Sequence, residues 1–229
     1  MIKLTDVTKK YGTKMALEDV NLTLSKGKLI GLVGENGSGK STTLKLIAGL
    51  NHPTRGDITV NGEKVTRKIA TSVSYLSELD EYYRFFTVKD AIEFQASQFA
   101  DFDIEKAYEI MKFMKLEPQQ KLKHLSKGNR GRVKIVLTLG RNASVVLMDE
   151  PFSGLDPMVR NSIVKGLISF VDLDKQLVLI TTHEIREVEN ILDEIVAIRD
   201  GNIIAHHNVD NIRKENKQSI VDWMTEIYA

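Results

Sequence analysis

Two stretches carry residues whose types and spacing can do chemistry. In "GLVGENGSGKSTTLKLIAGL", Gly34, Gly39, Lys40 and Ser41 satisfy the pattern G-x-x-x-x-G-K-[ST], with Asn36, Gly37 and Ser38 between them. Glycines let the backbone wrap until several N–H groups face one anion. The helix that begins after them adds the positive end of its dipole. Such a P-loop holds a nucleoside triphosphate: Lys40 reaches the β- and γ-phosphates, Ser41 ligates Mg²⁺ and Thr42 touches the α-phosphate. The apolar "KLIGLV" before the loop and the helical spacing after it supply the context that this cradle needs.

The second stretch, "SVVLMDEPFSGLD", is an apolar strand that ends in two adjacent carboxylates. Asp149 falls at the carboxyl end of the strand, where open parallel sheets bind ligands, and is expected to hold the hydration shell of Mg²⁺. Glu150, one residue on, is the candidate for orienting and deprotonating an attacking water. "LVLITTHE" repeats the geometry and delivers Thr181, Thr182 and His183 to the same rim, with His183 in reach of a γ-phosphate. A lone histidine and a "DE" strand end are commonly structural. Beside a P-loop the catalytic reading is the stronger one.

Elements must be found that place these residues together. Up to residue 62, short alternating segments broken by Gly27, Gly56 and Gly62 read as strands. Residues 88–116 switch to helical spacing, with Ile92, Phe99, Ile104, Tyr108, Met111 and Met114 as expected core contacts. From residue 145 the order is strand, helix, strand, helix, strand, the mark of a parallel α/β sheet. The expected fold is therefore an α/β body formed by residues 1–86 and 142–208. A helical insert at 87–141 interrupts it, and a helical tail at 209–229 follows. Along that tail Ile220, Trp223, Met224 and Ile227 share one face.

Composition narrows the classes. The 229 residues include 42% hydrophobic and 28% charged side chains, ordinary for a globular chain. The net charge of +1 gives no footing for general binding to nucleic acid. With no cysteine there is neither a disulfide framework nor a thiolate metal site. No apolar run approaches the roughly 18–20 residues that cross a bilayer, and the N-terminus lacks a secretory stretch, so a cytoplasmic chain is expected.

Taken together with "LSKGN" at 125–129, these motifs resemble the nucleotide-binding subunit of an ATP-binding-cassette (ABC) transporter, over essentially the whole chain. The resemblance implies a RecA-like P-loop core with an N-terminal antiparallel β-subdomain and an inserted α-helical subdomain. It also implies ATP and Mg²⁺ as ligands and coupled ATP hydrolysis. Tyr11 matches the aromatic on which the family stacks adenine. Ser126 and Gly128 match the signature positions that grip the γ-phosphate of a second subunit. Ser153 to Asp156, "SGLD", matches the loop that communicates across the dimer. Lys127 and Asn129 depart from the common LSGGQ, and Glu78 stands where the family has a glutamine near Mg²⁺ and water, so Glu78 joins Asp149 and Ser41 as an expected metal neighbour. Both departures resemble the exporter branch that includes bacitracin- and peptide-resistance systems. The segment Leu79–Phe86, with Tyr82, Tyr83, Phe85 and Phe86, matches the region that contacts a transmembrane permease. A peripheral position on the cytoplasmic face of the membrane is implied, and a second copy of the chain or a similar ATPase subunit is the implied dimer partner. The rival from another class, a soluble ABC-type ATPase of DNA repair or translation, lacks support from a basic block, long insert or second cassette. A P-loop kinase is opposed by "LSKGN" and by Glu150 beside Asp149.

Overall fold

The computed structural model describes residues 1–78, 83, 85–183, 185–215 and 219–228. Tyr82 and most of the 79–86 segment lie outside the described residues. In chain order the elements are β1 (Ile2–Tyr11), β2 (Lys14–Leu24), β3 (Leu29–Val33), α1 (Lys40–Ile47), β4 (Arg55–Val60), β5 (Glu63–Lys64), β6 (Val73–Leu76), α2 (Val88–Gln98), α3 (Ile104–Phe113), α4 (Lys127–Leu139), β7 (Val145–Asp149), α5 (Pro157–Phe170), β8 (Leu177–Thr182), β9 (Glu194–Arg199), β10 (Asn202–Asn208), α6 (Val209–Glu215) and α7 (Ile220–Tyr228). They build two sheets. One is antiparallel in the order β2-β1-β4-β5, and the other runs β10-β9-β3-β8-β7-β6. The second is parallel from β9 to β6, with β10 antiparallel on β9.

The parallel strands read as unbroken apolar runs because both faces are covered. All five residues of β7 are buried, and alternate ones serve different cores. Val145 and Leu147 join Leu177 and Leu179 in the core toward the antiparallel sheet and α1. Val146 and Met148 join Val178 and Ile180 in the core toward α4 and α5. Register then sets the functional edge: Val33 pairs with Thr182, Asp149 with Thr181 and Leu76 with Met148, so four strand ends finish side by side.

The helical segment between β6 and β7 is pinned at each start by a side chain that accepts the orphan N–H groups of a first turn. Thr87 and Asp90 form a reciprocal capping box on α2, Asp103 caps α3 and Ser126 caps α4. Ala107, Ile110, Met111 and Met114 bury the inward stripe of α3. Ile104, expected in the core, is exposed, because it is the first residue after the Asp103 cap and precedes the stripe.

Two further differences from the sequence reading concern the main sheet. β6 had no strand assigned to it, yet its Val73, Ser74 and Leu76 are buried beside β7. The helix expected between β8 and β9 is a single 3-10 turn, Ile185–Glu187. A parallel crossover usually needs a dozen or more residues. The link from Thr182 to Glu194 is shorter than that and spends its apolar residues, Val188 and Leu192, as anchors on the core. On the tail, Ile220 and Trp223 are buried in the core, with Met224 and Ile227 packed partly against it. The Tyr228 hydroxyl sits within 3.1 Å of the Val33 carbonyl and 3.0 Å of that of Ile198, tying α7 to the strand that feeds the glycine loop.

Arg141, at the exit of α4, joins the helical segment to the sheet. Its Nε and one terminal nitrogen each donate to Asp101 at 3.0 Å, and its terminal nitrogens reach the Val73 and Ala70 carbonyls at 3.1 and 2.6 Å. The Phe99 ring centroid lies 3.9 Å from the guanidinium carbon. Removing such a buried guanidinium strands its partners without donors. Arg141→Ala is expected to lower stability by roughly 2–4 kcal/mol, read as a drop in the denaturation midpoint; an unchanged midpoint would show that this junction does not carry the two parts.

Candidate functional site

A pocket of about 500 Å³ opens above the aligned strand ends. Its floor is the loop between β3 and α1. Gly37 and Gly39 hold φ of 84° and 114°, a left-handed region that L side chains avoid. Gly39 occupies the cap position of α1 with no side chain to satisfy the first N–H groups, which leaves them to an incoming anion. Gly34 is buried: a β-carbon there would run into the Ile198 carbonyl and stand 2.6 Å from Ser38 Oγ. That Ser38 hydroxyl is itself buried without a partner, an unsatisfied polar atom in the cradle.

Lys40 is only 5% exposed, and its ammonium donates to the Gly34 and Glu35 carbonyls at 2.8 and 3.0 Å. Glu150 Oε1 lies 3.6 Å from the same nitrogen. A buried ammonium held by carbonyls of its own loop, beside a single carboxylate, fits a polyphosphate that would take over its charge.

Asp149 is 1% exposed, and its described partners are three hydroxyls. Ser41 and Thr181 donate to Oδ1 at 2.8 and 2.9 Å, and Tyr75 donates to Oδ2 at 3.1 Å. Burial, then the neighbouring Asp149 charge, pushes the Tyr75 phenol above its ordinary range, so it remains a donor. A buried carboxylate and a serine hydroxyl side by side, with no cationic side chain among the described partners of the carboxylate, fit a hard divalent cation that is also bound by phosphate and water. Mg²⁺ would be held by Ser41 and Asp149, where it would offset phosphate charge.

Glu150 has φ of 48°, a left-handed conformation in a non-glycine residue that costs about 1–3 kcal/mol. Its N–H donates to Thr181 Oγ1 at 2.9 Å, so the hydroxyl that supports Asp149 also fixes the next residue's backbone. The Glu150 carboxylate is nearly buried, and Oε2 lies 2.9 Å from His183 Nδ1. A carboxylate can only accept, so Nδ1 carries the proton. Nε2 can then donate to a phosphate only when the ring is doubly protonated.

Of the residues singled out from sequence, Tyr11, Asn36, Gly37, Gly39, Lys40, Ser41, Thr42, Glu78, Glu150 and His183 line this one pocket. Gly34, Ser38 and Asp149 are buried around it. The Tyr11 ring is 46% exposed, with its hydroxyl accepting from Asn51 at 2.7 Å and the Lys9 ammonium 4.9 Å from its centroid. Glu78 is exposed at the rim, and the described residues contain no group of three carboxylate or imidazole side chains able to hold a metal. Glu78 nonetheless shares the pocket lining with Ser41 and Glu150. Lys134 holds the Ser77 and Glu78 carbonyls at 3.1 and 2.7 Å and keeps this backbone along α4.

Sequence reasoning missed Tyr75, Lys14 and Ala16. Tyr75 had a signal in the short alternation "VSYL" beside the carboxylate strand, whereas Lys14 and Ala16 reach the pocket only through the pairing of β1 with β2.

Ser126, Gly128 and Asp156 are not brought to the pocket. They gather at a second place. Ser126 Oγ accepts from the Asn129 N–H at 3.2 Å, which leaves its own hydrogen free to donate. A β-carbon on Gly128 would press on Val159 at 2.9 Å and stand 3.8 Å from Asp156 Oδ2. Asp156 caps α5 through the Met158 and Val159 N–H groups, both at 3.0 Å.

Residues 17–153 match the family model described as ABC transporter. The chain belongs to the ABC transporter family. It is 27% identical over 217 residues to the ABC transporter ATP-binding protein YtrB of Bacillus subtilis, covering 94% of this chain and 74% of that one. Bacitracin transport ATP-binding protein BcrA of Bacillus licheniformis is 26% identical over 223 residues, covering 95% and 73%. Methionine import ATP-binding protein MetN 2 of the same species is 30% identical over 249 residues, covering 99% and 72%. Among solved structures, the dimeric ABC transporter cassette MJ0796 superposes with a TM-score of 0.82 at 26% identity, over 91% of this chain and 99% of that one. The cassette MJ0796 is also known in a post-hydrolysis state with ADP and Pi, at a TM-score of 0.80 and 26% identity, with the same coverage. The chain is thus an ABC ATP-binding subunit and an ATPase, with the P-loop core of ABC cassettes. Cassettes of this family dimerise and act with transmembrane permeases, and its relatives include importers. No helix among the described residues is long and apolar enough to cross a membrane.

The crowding at Gly34 yields a test outside the charged residues. Gly34→Ala is expected to displace Ser38 and weaken ATP binding at least about tenfold, the scale of a single misplaced cradle contact, measured by titration with a fluorescent ATP analogue; unchanged affinity would mean that the loop relaxes around a methyl group.

Proposed function

We propose that two copies of this chain close head to tail over two ATP molecules, and that opening after hydrolysis drives export of a substrate through a separate transmembrane permease. The observation that carries this reading is the separation of the two half-sites. Lys40 and Glu150 line a pocket from which Ser126 and Gly128 are absent, so one chain cannot contact a bound γ-phosphate from both sides. The free Ser126 hydroxyl at the start of α4 is suited to donate to an anion presented by another copy.

In the closed pair, loop N–H groups and Lys40 hold the phosphates, and Tyr11 stacks the base. Glu150 accepts the proton of a water whose oxygen attacks the γ-phosphorus, and the bond to the bridging oxygen of ADP breaks. His183, bonded to the other Glu150 oxygen, orients that carboxylate. Loss of the charge bridging the two copies favours the open state.

Export is the direction that Lys127 in the signature and Glu78 support, through their resemblance to the bacitracin branch. Amphipathic peptides, antibiotics and lipid-like compounds are the corresponding cargo. The permease side is supported by an aromatic cluster: Tyr83 and Phe85 are 55% and 71% exposed, and Tyr83, Phe86 and Phe94 have ring centroids 4.9–5.8 Å apart. Aromatics that bury large area with few rotamers suit an interface hot spot. The chain then sits on the cytoplasmic face of the membrane through its permease.

Glu150→Gln is expected to bind ATP, accumulate as an ATP-bound dimer on size exclusion and hydrolyse at least about a hundredfold more slowly; turnover at the parental rate would remove Glu150 as the base. Tyr83→Ala/Phe85→Ala should leave ATPase activity of the isolated subunit intact and weaken co-purification with its transmembrane permease; full retention would move the permease contact elsewhere.

A further inference from the structure

A second groove, of about 640 Å³, leaves the nucleotide pocket where Asn36 and His183 form a shared wall. Ile185 continues that wall, and Val221, Met224 and Tyr228 of α7 face it. Its location follows from the Tyr228 hydroxyl, which fixes the end of α7 at the root of the glycine loop.

The same chain carries an exposed apolar residue on the face that closure uses. Asp156, Pro157 and Met158 are all exposed at the start of α5, and Met158 is 81% so. They belong to the segment that joins the two half-sites. Ser153 lines the nucleotide pocket, while Asp156 and Val159 abut Gly128. A two-fold axis that lays one copy's signature over the other's Lys40 must therefore pass near residues 153–156, with the two segments side by side. The partner's Asp156–Met158 then arrives at the γ-phosphate end of the pocket, marked by Glu150 and His183. That is where the groove opens.

We infer that Met158 of each copy seats in the groove between α7 and the wall formed by His183 and Ile185 of the other. The tail helix becomes part of the ATP-dependent interface, and each groove is complete only when the second copy is present. This rests on the head-to-tail reading above. The groove is mainly apolar, and an unbranched thioether fills such irregular space well. Because the groove shares His183 with the pocket, seating of the partner's Met158 bears on the residue that orients Glu150.

The chain contains no cysteine, so two can be introduced as sole thiols. In a Glu150→Gln background, the pair Met158→Cys and Thr225→Cys, the latter exposed on the groove side of α7, is treated with a short bis-thiol reagent. A covalent dimer is expected on adding ATP, with none without ATP and none from either cysteine alone. If size exclusion shows the ATP-bound dimer but no covalent link forms, the seating of Met158 is wrong while head-to-tail closure stands. Linkage independent of ATP also overturns the inference. If no dimer forms at all, closure itself fails and takes the inference with it. As an independent arm, Met158→Asp should raise the protein concentration needed for half-maximal dimer by at least about tenfold, the scale of losing one buried apolar side chain; an unchanged value overturns the inference.

Discussion

A carboxylate with almost no access to water sits at the centre of the molecule's chemistry. Asp149 ends β7, and the hydroxyls that hold it come from α1, β6 and β8. Burying that charge is tolerable only if the donors are aimed at it. Aiming them fixes the relative height of three strand ends and the first turn of α1. Thr181 extends the constraint by one residue through the Glu150 N–H. The strained Glu150 backbone is thereby held in place, and its carboxylate is left between Lys40 and His183. Strain is kept because the surrounding contacts over-determine it.

The same economy joins the two half-sites. From Glu150 to Val159 the chain passes from the pocket with Lys40 to the underside of Gly128. At its middle, the Lys127 ammonium occupies the space that a side chain on Gly154 would need, and Gly154 has φ of 64°. In the head-to-tail pair proposed above, a change at one nucleotide would reach, within a few residues, the surface offered to the other. Coupling of this kind needs no long pathway, only one short segment packed at both ends.

Much of this was legible in the sequence because the deciding constraints are local. A phosphate cradle needs glycines at fixed spacing, and Gly34, Gly37 and Gly39 are where backbone shape or crowding admits little else. Parallel strands need unbroken apolar runs, so β3, β7 and β8 were plain. What escaped is non-local. Tyr75 matters through sheet order, since the short alternation of β6 marks a strand but only pairing places it beside β7. The link after His183 has helical composition but folds as a 3-10 turn, with Val188 and Leu192 anchored in the core. Glu78 was read by position in a motif, while its backbone follows Lys134 of another element. Phe94 joined the aromatic cluster through the packing of α2, which a run-based reading of residues 82–86 could not include.

The Tyr228 contact carries a consequence for how the protein tolerates alkali. Burial raises this phenol from 10.0 to about 12. The neutral form is the one the folded chain prefers, so its contribution is whole below pH 10 and disappears between there and about 12. Across any pH at which a cell operates, the tail stays fastened to the carbonyl of Val33. The acid–base chemistry proposed for Glu150 would thus run next to an anchor that keeps its proton at those pH values.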